Sequence, residues 1–477
     1  LKATDIYIST GLDPNQAVSG TLSYALGTGR PVISTAFANA RELVSDDVGI
    51  LVDFESPAAY TEAIIRLLED GQLREQMGMN AYFKTRRMIW PNVAVQYAKV
   101  FSSHARSLAR ISEQKSLPKI KLDHLVHLTD SFGIAHSARL TRPDYRFGYT
   151  LDDNARALLA ACTYYKKLGA ASRSTTVAST KRTLLKLINI YLNFIQSSFQ
   201  EDGTFANYIK KDRTPDREKN KKANLEDANG RTLMALAATA TTRSLPKTAR
   251  RQAHQMLSRR IEKGVRLESP RSIALWIKAL YTLLDKKAED IGIDTSEVLT
   301  EQCNRLVHLF GEASSPDWQW FESYLTYSNA VLSEALLLGY RATAIEDYQR
   351  VGKASLDFLI KQSFVDGVYM PIGEGGWYQS KGKRVQYDQQ PGEAKSMVNA
   401  LKCCYELTRD PKYHDLMRRA FFWFLGDNSL NQVVYDRHTG GCYDGVGKRS
   451  VNLNQGAEAT ISYLLARLAF EGSRVAP

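Results

Sequence analysis

The sequence predicts two architectures in one chain: a parallel α/β layer over about the first hundred residues, then an all-α barrel of helical hairpins. Three observations carry this expectation. Short β-rich runs alternate with helical stretches up to about residue 101. From about residue 120 the strand pattern disappears, and long helices follow, separated by loops containing Gly, Pro and aromatic residues. Those helices alternate between members that are small and apolar on most sides and members that carry more charge. A chain of 477 residues is long enough for two or three domains with large cores.

In the first part, "DIYIS" (5–9), "RPVIST" (30–35) and "GILVDF" (49–54) read as buried strands. "SGTLSYALGTG" (19–29) reads as a short helix closed by Gly27 and Gly29. In "SPAAYTEAIIRLLED" (56–70) Ser56 stands as N-cap and Pro57 at the first helical position, ahead of apolar residues at helical spacing. Alternation of this kind is the pattern of a parallel α/β layer. The polar, charged stretch 102–121, closed by Pro118, reads as a linker, with domains over 1–101 and 122–477.

The second part repeats weakly. Apolar helices begin around "LDDNA" (151–155), "EDANGR" (226–231), "SPRS" (269–272), "TYSNA" (326–330), "QQPGEA" (389–394) and "NQGAEA" (454–459). More charged helices lie between them, for example at 181–197, 246–262 and 345–361, and 121–129 could supply a sixth. Buried helices alternating with half-exposed ones imply an inner and an outer ring, and six inner helices make an (α/α)6 barrel.

In such a ring the inner helices run parallel, so their N-termini collect at one mouth. One cap needs a single Ser, Thr, Asp or Asn, and the macrodipole favours a nearby carboxylate. Capping does not account for Asp152 beside Asp153, Glu226 beside Asp227, or Gln389 and Gln390 with Glu393. The loops 202–209, 315–329 and 373–393 place Trp, Tyr and Phe among Glu, Asp, Asn and Gln. Aromatic faces stack on sugar rings while carboxylates and amides bind hydroxyls. The mouth is therefore expected to bind an oligosaccharide or glycan. Asp153, Asp227 and Glu322 are the expected catalytic carboxylates for general acid–base work on a glycosidic bond. The expected substrate-binding set is Asp130, His136, Asp152, Asn154, Asn229, Arg231, Trp320, Tyr327, Asn329, Trp377, Asp388, Gln389, Glu393, Asn454, Gln455 and Glu458.

Composition bounds the alternatives. Hydrophobic content of 44% and charged content of 24% are those of a globular protein. The net charge of +12 is concentrated at 210–222 and 250–266, read as a solvated loop and the exposed side of a helix. No aromatics interleave with those basic residues, so nucleic acid is not an expected partner, and peripheral contact with anionic membrane stays open. No apolar run approaches the roughly 18 residues of a membrane span. Five cysteines without metal-ligand spacing and eight histidines without an HxxxH pair argue against a metal site and for buried thiols in a reducing, cytoplasmic setting. Oligomeric state is not legible.

The stretches 1–10, 15–35, 49–54 and 90–101 resemble the C-terminal, donor-side half of a group-1, GT-B type retaining glycosyltransferase, a partial Rossmann-like half-domain. The resemblance implies that Ser19, Gly20 and Thr21, opening the first helix, offer backbone N–H groups to a nucleotide-sugar diphosphate. Two departures matter. The family's paired glutamates, eight positions apart, align with Asn15 and Ser23, and the acceptor half and the opening strands of the donor half are not in this chain. A nucleotide sugar is therefore expected only with a complete transferase domain; either the transferase extends upstream or this half serves as scaffold. The stretches 129–138, 148–158, 226–236, 320–337, 388–398 and 452–466 resemble the (α/α)6-barrel domains fused to such transferases in bacteria. That resemblance implies carbohydrate chemistry on mannose-type sugars, with no cofactor required by the barrel. A glycosidase-like enzyme leads; a glycan-binding module assisting the transferase and a sugar epimerase are the alternatives.

Overall fold

A computed structural model describes residues 1, 3–104, 117–169 and 175–472. The chain divides into two compact units, Leu1–Gln114 and Lys115–Pro477. Most of the expected linker, residues 105–116, lies outside the described residues.

The first unit is a parallel sheet in the order β1 (Tyr7–Ser9), β2 (Val32–Thr35), β3 (Gly49–Val52). Successive residues of the fully buried β2 face opposite ways. Val32 joins Leu22, Leu26, Phe37 and Val48, whereas Ile33 joins Val52, Leu67 and Met77. That explains why the strand is apolar on both sides. The helices are α1 (Gly20–Gly27), α2 (Ala38–Leu43), α3 (Pro57–Glu69), α4 (Gly71–Thr85) and α5 (Trp90–His104). Ser19 and Ser56 cap α1 and α3 through their hydroxyls, and Pro57 opens α3. Sequence patterning did not reveal α4, whose Gly78 serves packing. A Cβ there would lie 2.6 Å from the Gly29 carbonyl oxygen.

The second unit is an (α/α)6 barrel. Its helices are α6 (Asp123–Leu128), α7 (Leu151–Lys167), α8 (Thr175–Ser197), α9 (Arg217–Lys222), α10 (Glu226–Thr241), α11 (Lys247–Glu262), α12 (Pro270–Asp285), α13 (Thr295–Ala313), α14 (Ala330–Thr343), α15 (Glu346–Ser363), α16 (Pro391–Thr408), α17 (Pro411–Phe422) and α18 (Ala457–Glu471). The inner ring runs α7, α10, α12, α14, α16, α18, each packed on the next, and α18 returns to α7. The outer helices α8, α11, α13, α15 and α17 each pack on the inner helix before them, and α6 packs on α18. Burial follows the layers. On α12 every residue from Arg271 to Ile277 is buried, whereas α8 buries a single stripe through Leu184, Leu187, Ile188, Tyr191 and Ile195.

The expectation of no strands beyond residue 120 is corrected. An antiparallel sheet joins β4 (Ala135–Arg139), β5 (Arg142–Thr150) and β6 (Tyr208–Ile209). Two-residue strands pair as β7 (Tyr324–Leu325) with β10 (Tyr378–Gln379), β8 (Phe364–Val365) with β9 (Val368–Tyr369), and β11 (Gly445–Val446) with β12 (Val451–Asn452). Pairs this short leave no periodic signal in sequence. They tie the rim loops together: β7 and β10 join two of the aromatic-rich loops. β5 runs directly into α7, and Thr150 ends the strand while its hydroxyl accepts from the Asp153 N–H at 3.2 Å.

Candidate functional site at the barrel mouth

The starts of the six inner helices form a closed circuit of contacts. Asp152 on α7 accepts from Arg231 on α10 at 2.8 Å. Asp227 on α10 accepts from the Ser269 hydroxyl, at the start of α12, at 3.1 Å. Arg271 on α12 donates to Asn329, at the start of α14, at 3.4 Å. Asn329 donates to Glu393 on α16 at 3.2 Å. A Cβ at Gly392 would lie 3.0 Å from the Glu458 carboxylate on α18. Glu458 pairs with Arg156 on α7 at 2.7 Å, which closes the ring. All six N-termini therefore stand at one rim.

One arc of the rim is acidic. Asp153 is buried, and one of its carboxylate oxygens binds the Thr150 hydroxyl and His136 Nδ1, both at 2.7 Å. The His136 side chain is 39% exposed, and its Nε2 has no hydrogen-bond partner among the described residues. Burial opposes the imidazolium, yet the Asp153 hydrogen bond and charge, with Glu458, raise its pKa. Asp153, expected as a catalytic carboxylate, thus sits buried behind the more exposed His136. Asp444, which accepts from the Gly456 N–H at 2.7 Å, faces the same charges. Burial and the nearby Glu458 and Asp153 push its carboxyl up to about 6, against the pull of Gly456 N–H and His136. Glu458 is the open member, with a side chain 53% exposed. Glu374 stands near Glu458 and Asp388, and burial followed by those two charges raises its carboxyl. Asp152 lies between Arg156 and Arg231, whose charges overcome its burial and hold its carboxyl low.

The opposite arc is aromatic. Tyr327 donates to Asp227 at 2.8 Å, stands 6.2 Å from Trp377 and has Arg271 against its ring face. Burial and the Asp227 charge raise its phenol. Tyr327 is 44% exposed, and the Tyr327–Trp377 pair offers ring faces beside a carboxylate. Arg271 also binds Glu322 at 2.8 Å. Asp227 and Glu322, expected to be catalytic, are thus held as acceptors by a phenol and a guanidinium. Glu393 is buried and accepts from the Ser328 and Asn329 N–H groups, and burial raises its carboxyl despite those donors.

Several expected ligands have structural jobs instead. Trp320 is fully buried against Phe321 and Phe358, so it cannot stack on a sugar. Asn154 and Asn229 each stand at the fourth position of an inner helix and make the same clamp. Each side chain donates to the carbonyl four residues back and accepts from the N–H of an extended segment laid against the helix start, at Ile134 or Phe205. Asn329 closes a turn on Thr326 in a related way. Asp130 accepts from Phe132, Gly133 and Tyr149. The Gln389 amide is occupied by Trp423, Gln386 and Ser429, and that of Gln455 by Thr439 and Asp436. Asn454 accepts from Leu140.

Two mouth residues escaped the sequence reading. Asp444 lies in the loop 441–447, outside any helix start, and had no visible signal. Lys395 could have been noticed as a lysine one turn into an otherwise buried helix. In the first unit, Ser19 caps α1 while Gly20 and Thr21 are exposed at its start. All five cysteines are buried and free. Among the described residues no helix is long and apolar enough to cross a membrane.

Fold and site together define an (α/α)6 protein with an acid-lined mouth, preceded by a Rossmann-like layer. Residues 2–84 match the family of group 1 glycosyl transferases, so the first unit is a domain of that kind. An uncharacterized glycosyltransferase of Methanocaldococcus jannaschii is 32% identical over 103 residues, 21% of this chain and 26% of that protein. The D-inositol 3-phosphate glycosyltransferase of Corynebacterium efficiens is 30% identical over 79 residues, 16% of this chain and 19% of that protein. The chain thus spans about a quarter or less of the curated relatives it matches. Among solved structures, a sugar epimerase from a ruminal bacterium superposes with a TM-score of 0.55 at 12% identity, covering 77% of this chain and all of the other. The cellobiose 2-epimerase of Bacillus thermoamylovorans gives 0.54 at 13%, covering 74% of this chain and 95% of the other. A D-mannose isomerase gives 0.54 at 13%, covering 73% and 93%. At such identities these establish the fold alone.

Proposed function

We propose that the barrel is an acid–base enzyme that acts on a glycosidic linkage of an oligosaccharide held at its mouth. One observation carries this reading: Asp444, Glu458 and the His136–Asp153 pair face one another at the rim, with the Asp444 carboxyl pushed up to about 6. Two acidic groups with different environments are what bond cleavage needs. Asp444 protonates the leaving oxygen, and the open Glu458 activates water or attacks. Tyr327 and Trp377 supply the stacking face, and Asp227 binds a hydroxyl beside them. The curated relatives and the fold neighbours are named for sugar chemistry, which supports a saccharide as ligand. The first unit serves a nucleotide sugar only as part of a complete transferase domain.

A second reading, epimerisation of a sugar, is favoured by His136. Its Nδ1 is fixed by Asp153, which leaves Nε2 to exchange a proton with a carbon acid. Incubation with manno- and gluco-oligosaccharides, read by chromatography, separates the readings. Chain shortening that Asp444→Asn abolishes supports cleavage. Mass-neutral conversion of a sugar that survives Asp444→Asn and is lost in His136→Gln supports epimerisation. Saturable binding with neither change would leave a glycan-binding module.

A further inference from the structure

We infer that the barrel lumen beneath the carboxylate rim binds an oxyanion, the phosphate or carboxylate group of an acidic sugar or phosphate itself, through Lys395 with Arg156 and Arg231. The inference deepens the reading of the mouth as a sugar site and rests on it for the sugar.

Lys395 lies one turn into α16. The charges acting on it come from four other inner helices: Arg156 and Asp152 on α7, Arg231 on α10, Lys278 on α12 and Glu334 on α14. Only a side chain inside the ring meets all four. On α18, the remaining neighbour, Glu458 faces Arg156. The carboxylates in the lumen are already taken. Asp152 is shared by Arg156 and Arg231 at 2.9 and 2.8 Å, and Glu334 pairs with Lys278. Lys395 is left without a hydrogen-bond or ion-pair partner among the described residues. A second orphan lies beside it. Arg156 is 7% exposed, and its Nε is buried without a hydrogen-bond partner. A buried guanidinium N–H without an acceptor is costly to keep, and the half-buried Lys395 ammonium stands among like charges with no carboxylate of its own. One oxyanion satisfies both, because arginine and lysine donors match carboxylate and phosphate oxygens.

The unliganded state shows the same deficit. Burial first, then the neighbouring cations, push the Lys395 amine down to about 7. An anion bound against it restores the ammonium, so binding takes up a proton. Affinity for an anion that does not itself titrate should then fall about tenfold per pH unit above pH 7.

The test is isothermal calorimetry on the full chain between pH 6 and 9, with sulfate, inorganic phosphate and glucuronate as probes. Saturable binding at pH 6.5 is expected, weakening with pH as stated for sulfate. Lys395→Met should lose at least tenfold in affinity. Lys395→Arg should keep binding and lose the slope, and it carries the test if the Met variant fails to fold. Preference for sulfate and phosphate identifies a phosphate-type ligand, and preference for glucuronate an acidic sugar. No saturable binding of any probe at pH 6.5, or equal binding by Lys395→Met, overturns the inference. No saturable binding of any probe, together with turnover of neutral oligosaccharides, would overturn the inference while the proposed function stands. Sulfate binding without action on any saccharide would end the proposed function and leave this site in place.

Discussion

At the scale of single residues, the mouth holds both open carboxylates and covered ones that bind their neighbours, as Glu458 and Asp153 show. Asp153 is covered and bonded through one oxygen to both Thr150 and His136, so it is a positioning residue. Its charge raises the His136 pKa. Asp153→Asn should therefore lower that pKa, read by NMR as an imidazole titration midpoint moved to lower pH, and on the epimerase reading it should cost turnover about 10²–10⁴-fold. An unmoved titration would show that the pair is not coupled. Asp444 links stability to pH. Its folded pKa of about 6 lies above the ordinary value of 3.8, so the folded state holds the proton more tightly. The stabilisation this contributes is complete below about 4 and lost as pH rises through 6. Asp444→Asn should thus match the parent at pH 4 and exceed it at pH 7.5, by up to about 3 kcal/mol. Urea titrations at the two pH values measure this, and a variant less stable at pH 7.5 would contradict the burial argument.

At the scale of elements, the barrel repeats a joint. Asp152 and Asp227 stand two residues before Asn154 and Asn229, and Arg156 and Arg231 two residues after them. Each asparagine locks the first turn of its helix to an extended segment, so the aspartate before it projects at a fixed height on the rim. Asn229→Ala leaves the N–H of Phe205 and the carbonyl of Leu225 with one partner fewer, and should cost about 1–3 kcal/mol in thermal or urea unfolding. The first-turn polar clusters, the helix types and the six-fold count were legible because helical spacing and capping leave local marks. The jobs of the individual amides were not. Asn154, Gln389 and Gln455 carry the same residue types as sugar ligands, and only their partners, 20, 34 and 19 residues away, reveal them as clamps. Trp320 misled for the same reason, since its neighbour Phe358 lies on an outer helix. Asp444 stayed hidden because its environment is assembled from Gly456, Glu458, His136 and Asp153, none of them local to its loop.

At the scale of the whole barrel, one residue bridges the rim where the ring closes, while Lys167 and Glu471 pair at the far ends of the same two helices. Four hydrogen bonds at the rim join inner helices that follow one another in sequence, and at this rim, among the described residues, Arg156 with Glu458 joins the last helix to the first. Arg156 also lies 2.9 Å from Asp152 and 3.8 Å from Asp153. Replacing it would leave two aspartates at the start of α7 with less compensation, and the helix dipole offsets only about 0.3–1 kcal/mol for each. Arg156→Met should accordingly destabilise the barrel by about 3–5 kcal/mol, the usual cost of removing one partner from a buried pair. Glu458→Gln should cost much less, because that side chain is half exposed and water replaces the lost charge. The ratio of the two losses in urea unfolding is the measurement. Equal, small losses would mean that the ring is held by its apolar helix faces alone, and that the charged rim serves the ligand and not the fold.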